Sequence, residues 1–514
     1  MRLFQAIVLL FCLSPLWLNA AEKSKPNIIV IMADDLGYGD LSCYGATELD
    51  TPYIDQLAAE GTRFTSGYCS ASTCTPTRYS FLTGSYAFRK KGTGIAPPNS
   101  PAVIPAGTVT TASLLKNAGY KTAVIGKWHL GLGGPEGPQW NEELKPGPLE
   151  IGFDHCYLLP TTNDRVPQVY VQDHRVLNLD PKDPITLYKK KPSEDHPTGI
   201  THRDTLKMDW THGHNATIHN GISRIGFYTG GEKARFRDED LADEWVDRSV
   251  KWIEKQKDAP FFLFFASHDI HVPRMPHERF QGKTKLGFRG DSIVELDWCV
   301  GQLVENLKRL KIEDNTMIVF CSDNGPVLDD GYADGAVEKN GKHRSGGQYS
   351  GGKYSVYEGG TRTPFITWWP GTIPAGKESD EVVCTIDLAT SFASMTGSDI
   401  PGDSVLDSLD VMDALLGKDG AKGRDHLVQQ DNGKGGNYGY REGDWKLLRH
   451  DSKKTRNLVV ERQLENTVVP EFQLFNLAED PGEKQNVIDA NAKVAEEMKT
   501  RLANIIESGR SRSE

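Results

Sequence analysis

Cys74 lies in the run Cys74-Thr75-Pro76-Thr77-Arg78, with Leu82-Thr83-Gly84 close behind it. An unpaired thiol is unusual in an exported chain, and this one sits among small hydroxyl residues, a proline and an arginine. The plainer alternative is a structural cysteine buried in a turn. Other polar clusters bear on the choice: Asp34-Asp35, Lys127 with His129, His268 with His271, and Asp323-Asn324. Asp34, Asp35, Asp323 and Asn324 offer oxygen donors and nothing softer, which selects a hard divalent cation, Ca2+ or Mg2+, over zinc. Adjacent carboxylates at a strand end repel each other unless a cation lies between them. Arg78, Lys127 and Lys353 supply fixed positive charge for an anion spread over several oxygens. His129 and His271 are the groups able to move protons near neutral pH.

These clusters each follow an apolar segment. Asn27 to Met32 is a nearly continuous apolar run, as expected for a strand buried on both faces of a parallel sheet. Thr51-Pro52 and Gly61 bracket a short helix over 52–60. Further strands are expected at 122–125, 260–266 and 316–321, with helices at 241–255 and 294–310. Strand–helix alternation predicts an α/β sandwich with a largely parallel sheet. The carboxyl ends of parallel strands share one edge, so the four clusters converge by topology. Singly, each would read as solvated loop charge; jointly, they form a site.

Residues 135–235 break the rhythm and predict an elaborated surface lobe, and 329–352 form a glycine-rich loop. The composition shifts after Pro401-Gly402-Asp403. Amphipathic strands at 438–448 and 472–477 and a helix at 492–506 predict a smaller α+β domain with an antiparallel sheet. The organisation expected is a leader over 1–21, a catalytic domain over 22–415 and a C-terminal domain over 416–514.

The leader rests on Met1-Arg2, a short apolar stretch and Leu18-Asn19-Ala20, which together read as a secretion signal. Its apolar run is too short, and too broken by Ser14-Pro15, for a membrane anchor. The expected destination is therefore the periplasm or the exterior, by way of the secretion machinery. Of the eight cysteines, Cys12 falls in the leader. Cys43, Cys69, Cys156, Cys299, Cys321 and Cys384 fit no zinc spacing, and their pairing is not deducible. A formal net charge of −11 gives no long-range attraction to nucleic acid or an anionic polymer. An anionic substrate must be held by local cations.

The set as a whole resembles the type I, formylglycine-dependent sulfatases of the alkaline-phosphatase-like superfamily, over nearly the whole mature chain. The Cys74 run resembles the family's modification signature, with Thr77 where serine is common. Asp34-Asp35-Leu36-Gly37-Tyr38-Gly39-Asp40, Gly126-Lys127-Trp128-His129, His271-Val272-Pro273 and Ser322-Asp323-Asn324-Gly325 match its other motifs. So does Lys353 ahead of Tyr357-Glu358-Gly359-Gly360-Thr361-Arg362. Arg441 to Leu447 and Asp480-Pro481-Gly482-Glu483 resemble its small domain. The resemblance implies that a maturation enzyme oxidises Cys74 to formylglycine, whose hydrate attacks sulfur. It implies one divalent cation, most simply Ca2+ with Mg2+ as the alternative, held by Asp34, Asp35, Asp323, Asn324 and residue 74. Lys127 and Lys353 would offset the sulfate's charge, and Arg78 would hold the hydrate at position 74. His271, alone or with Lys353, would protonate or stabilise the departing alkoxide, and His129 would be the base that releases sulfate.

Substrate choice is expected in the lobe and the glycine-rich loop over 329–352; in the lobe, Asn163, Asp164, Arg165, His212 and His214 are dense in groups that read sugar hydroxyls. Loop residues satisfying their own backbone explain the same composition. His268 is a further candidate, open between substrate contact and structural support. The expected activity is hydrolysis of a sulfate monoester on a sulfated carbohydrate. The rivals are a phosphonate or phosphodiester hydrolase of the same superfamily and a catalytically silent protein that binds sulfated glycans.

Overall fold

The computed structural model describes residues 25–431, 437–450 and 470–512; the leader expected at 1–21 lies outside them. Strand β1 (Asn27–Ala33) is buried at every position. Ile28, Val30 and Met32 enter one hydrophobic core, and Ile29, Ile31 and Ala33 enter another on the opposite face. That is why a period-two element reads in sequence as an unbroken apolar run. The first core is completed by helices α2 (Cys74–Thr83) and α3 (Thr111–Asn117). The second is completed by α1 (Pro52–Glu60), α4 (Leu241–Gln256) and α5 (Phe288–Leu310).

Three more strands set the site edge: β2 (Lys121–Lys127), β3 (Phe261–Ala266) and β4 (Thr316–Ser322). β1 lies between β3 and β4, parallel to both, and β2 runs parallel beyond β3. His155–Leu159 extends the parallel run past β2. Phe365–Trp368 and then Thr62–Phe64 extend the other side antiparallel within a ten-stranded sheet. The expected mixed, mostly parallel α/β sandwich is the fold observed.

The chain from His426 onward forms a four-stranded antiparallel sheet, ordered His426–Gln430, Tyr438–Glu442, Trp445–Arg449, Phe472–Asn476. Helix Ala492–Glu507 lays Ala495, Met498 and Leu502 on it. The strand His426–Gln430 was not anticipated, yet it braces the site. The Gln430 carbonyl accepts from Ser72 N at 2.9 Å, and the Ser72 carbonyl accepts from Tyr354 N at 2.8 Å.

Two other elements depart from expectation. Helix α2 gives no periodic signal because all ten of its residues are buried, leaving no polar face to contrast with an apolar one. Helix α5 starts at Phe288 rather than near 294 because Arg289 pairs with buried Asp40 at 2.6 Å and pins the first turn. The irregular lobe holds short two-stranded ribbons, Ile218–His219 with Ile222–Ser223 and Phe227–Thr229 with Thr186–Tyr188. No helix among the described residues is long and apolar enough to cross a membrane.

Candidate active site

Past the carboxyl ends of the four strands, the chain turns sharply and presents polar side chains in place of apolar ones. Asp35 (φ 59°) and His129 (φ 53°) hold left-handed backbone, which residues with a Cβ seldom adopt. Backbone strain of this kind persists where the surroundings enforce it. Gly325 supports the β4 turn by close approach: a Cβ there would lie 1.8 Å from the Gly359 carbonyl oxygen.

The expected charge cluster assembles. Lys127 Nζ contacts Asp34 Oδ2, and Lys353 Nζ lies 2.8 Å from Asp35 Oδ2. Arg78 donates Nε to Asp323 Oδ2 at 2.9 Å and Nη1 to the Lys127 carbonyl at 2.9 Å. Asn324 Nδ2 donates to Asp35 Oδ1 at 2.7 Å. All of these side chains are essentially inaccessible to water. Burial, reinforced by Asp323, pushes the Asp34 carboxyl well above its ordinary range, and burial likewise raises Asp35 despite Lys353.

These residues fit a hard cation on an observation of their own. Asp34 Oδ1 and Asn324 Oδ1 are buried without a hydrogen-bond partner, a costly arrangement unless something else satisfies them. One carboxylate oxygen each from Asp34 and Asp35 also lies within 4.8 Å of a His271 ring nitrogen. The prevalence of oxygen donors keeps the preference for calcium or magnesium.

Cys74 occupies the first turn of α2, 2% exposed. Burial, only partly countered by Lys127, raises its thiol pKa, so the unmodified side chain is a poor thiolate source. His129 Nδ1 lies 3.1 Å from Sγ, and Nε2 lies 3.0 Å from the Ala96 carbonyl. A carbonyl only accepts, so Nε2 carries the proton and Nδ1 turns its lone pair to residue 74. Burial and then Lys127 hold His129 well below the usual imidazole range, in keeping with a base. His271 is lowered by burial and then Lys353, and its Nδ1 donates to the Val272 carbonyl at 2.7 Å.

A cavity of about 160 Å³ opens beside Cys74 and His271. Asp164, Arg165, His212 and His214 line it. Asp164 Oδ2 lies 3.0 Å from His214 Nε2, and Arg165 Nη1 lies 3.6 Å from Asp164 Oδ1. Burial raises the Asp164 pKa, but Arg165 and His214 outweigh it and leave the carboxyl well below its ordinary range. Asn163 is placed off the lining: Nδ2 donates to the Pro273 carbonyl at 3.1 Å, and its main-chain carbonyl accepts from Arg224 Nη1 at 2.7 Å. His268 also lies away, buried behind β3. Its Nδ1 accepts from Trp245 Nε1 at 3.1 Å, and burial lowers its pKa to about 3. Its contacts are those of structural support.

Sequence reasoning missed Asp330 and Tyr354, which also line the cavity. Asp330 lies in the glycine-rich loop where substrate choice is expected without any one residue singled out, and Tyr354 directly follows Lys353.

The sulfatase family model matches residues 26–398. The chain belongs to the sulfatase family. A second model, described as N-sulphoglucosamine sulphohydrolase, C-terminal, matches residues 349–508 of this sulfatase. It is 44% identical over 487 residues to an N-acetylgalactosamine-6-O-sulfatase of Bacteroides thetaiotaomicron, covering 95% of this chain and 94% of that one. It is 30% identical over 424 residues to human steryl-sulfatase, covering 77% and 70%. A solved structure from work on glycosaminoglycan metabolism by Bacteroides thetaiotaomicron superposes with a TM-score of 0.90 at 44% identity, covering 94% of this chain and 99% of that one. The sulfatase is thus a sulfuric ester hydrolase, and its family implies a metal and a formylglycine made from cysteine.

Proposed function

We propose that this sulfatase removes the 6-O-sulfate of N-acetylgalactosamine, or of a closely related galactose-type sugar, from a sulfated glycan. The observation carrying this reading is the 44% identity, over 95% of the chain, to an enzyme named for that substrate. The polar cavity beside Cys74 supports a carbohydrate in place of a flat apolar ester. The rival phosphonate reading rests on fold alone: the phosphonate monoester hydrolase of Agrobacterium radiobacter is 17% identical with a TM-score of 0.57, covering 94% of this chain and 96% of that one. A silent binding protein has no need of the nucleophile position and the oxygen donors, all of which this chain keeps.

Oxidised to formylglycine by a maturation enzyme, residue 74 would supply through its hydrate one hydroxyl to attack sulfur and a second to release sulfate. A divalent cation, Ca2+ in this reading with Mg2+ the alternative, would be held by Asp34, Asp35, Asp323, Asn324 and residue 74 and supply Lewis-acid stabilisation. The chain's own groups do the rest. Arg78 lies one helical turn after Cys74 on the same face of α2, and its Nη2, buried without a partner, is available to that residue. Lys127 and Lys353 hold the negative charge of the sulfuryl oxygens, most strongly as it redistributes in the transition state. His129 Nδ1 takes a proton from residue 74, and His271, protonated to the imidazolium once the negative charge of the bound sulfate ester offsets burial and Lys353, delivers its Nε2 proton to the departing sugar alkoxide. The work is done after export, in the periplasm or outside the cell.

Cys74→Ala is expected to abolish turnover of N-acetylgalactosamine-6-sulfate while calorimetry still detects binding of the sugar sulfate. Undiminished turnover in that variant refutes the assigned nucleophile. Clear preference of the wild-type enzyme for a phosphorylated over a sulfated aryl ester refutes the activity.

A further inference from the structure

Asp330 is partly buried, its side chain 13% exposed, and it lines the cavity. Its carboxylate takes Lys353 Nζ at 2.9 Å and the Tyr354 hydroxyl at 3.1 and 3.2 Å. Asp164 lines the same cavity with Arg165 and His214. The space beside the reacting centre therefore carries carboxylates as well as cations, an unexpected feature for a site that takes an anion. The cations are also committed. Lys353 is shared between Asp35 at 2.8 Å and Asp330 at 2.9 Å, and Arg165 faces Asp164. Lys353 can meet one sulfuryl group, but among the described residues the lining offers no surplus positive charge to a second anion. A carboxylate fixed by Lys353 and Tyr354 is, in contrast, a strong acceptor for a neutral donor, because hydrogen bonds to a charged group are the stronger ones.

We propose that Asp330 is a specificity-determining residue that accepts a hydrogen bond from a hydroxyl or amide N–H of the sugar and rejects a ring carrying a second sulfate. The inference rests on the carbohydrate reading above and goes beyond it, since it selects for singly sulfated sugars. Asparagine at 330 keeps the size and a polar contact with Tyr354 but removes the charge. Glutamate keeps the charge.

The experiment compares kcat/KM of wild type, Asp330→Asn and Asp330→Glu on three probes: N-acetylgalactosamine-6-sulfate, its 4,6-disulfated form, and 4-nitrophenyl sulfate, which has no sugar ring. Asp330→Asn is expected to lose about 10- to 100-fold on the monosulfated sugar, the range for one charged hydrogen bond. The ratio of disulfated to monosulfated activity should rise at least about tenfold, while Asp330→Glu keeps the wild-type ratio. Were Asp330 merely to position Lys353, all three probes would fall together and the ratio would stay put; that result overturns the proposal. Should the asparagine variant fail to fold, Asp330→Ser carries the same comparison. Wild-type enzyme active on the aryl ester but on no sugar sulfate overturns the carbohydrate reading, and this inference with it. Sugar activity with an unmoved ratio overturns this inference alone.

Discussion

His271 spends its Nδ1–H on the Val272 carbonyl, so Nε2 is the nitrogen left for substrate. A sugar alkoxide is a poor leaving group and needs a proton, whereas 4-nitrophenolate leaves without one. His271→Ala is therefore expected to cut kcat on a sugar sulfate by about 10²–10⁴-fold and to spare 4-nitrophenyl sulfate far more. Steady-state kinetics on the two esters check this, and equal losses would remove the acid role. His129, His271, Lys127 and the oxygen donors were legible in the sequence because each directly follows an apolar strand, where topology dictates convergence. The glycine-rich loop over 329–352 was expected to share in substrate choice, but that Asp330 within it and Tyr354 just past it reach the cavity was not legible, because no periodicity encodes the path of that segment. His268 shows the converse. It shares a strand end with His271, yet its ring turns to Trp245, a choice made by packing.

The helical turn Glu358–Thr361 carries the load between the two sheets. Lys446, on a strand of the small sheet, sits between Glu358 at 2.8 Å and Glu483 at 3.2 Å, with all three side chains fully buried. Removing one partner of such a group strands the others in low dielectric. Lys446→Ala should cost about 3–5 kcal/mol of stability, measurable by chemical denaturation. Glu483 adds a pH dependence. Burial, partly offset by Lys446 and reinforced by Glu358, pushes it up to about 7. A carboxyl raised in the folded state stabilises most below its ordinary pKa near 4.5, and that contribution is lost as pH rises through about 7. Thermal scans from pH 4.5 to 8 should show a wild-type decline that Glu483→Gln flattens; parallel profiles would contradict the assignment. The sequence marked these residues only as a motif. Helix α2 and strand His426–Gln430 were invisible to periodicity, the one because it is buried all round.

Two hydrophobic cores clamp the large sheet, and every residue of β1 belongs to its interior. The charged cluster sits at its edge, buried from solvent, where Asp34 Oδ1 and Asn324 Oδ1 have no partner among the described residues. A cation bound there should stabilise the folded chain by mass action, about 2.7 kcal/mol at a hundred times its Kd. Stripping the purified protein with a chelator is expected to lower Tm, and titration with Ca2+ or Mg2+ to restore it, read by calorimetry without reference to turnover. A Tm indifferent to both ions would argue against a metal at these oxygens. The lobe over 135–235, expected to be irregular, supplies one wall of the cavity through Asp164, Arg165 and His214.

Strand hydrophobicity and the polar pairs at strand ends sufficed for the α/β class and for which side chains would gather at one sheet edge. The resemblance carried by the Cys74 run and its companion motifs sufficed for a sulfuric ester hydrolase, since all of these depend on local order along the chain. Tertiary packing alone decided which loop groups face substrate and which histidine turns to the core. It also decided how much each carboxyl is shifted. Those outcomes follow from contacts between residues far apart in sequence, such as Asp330 with Lys353 and Gln430 with Ser72, and no local pattern carries them.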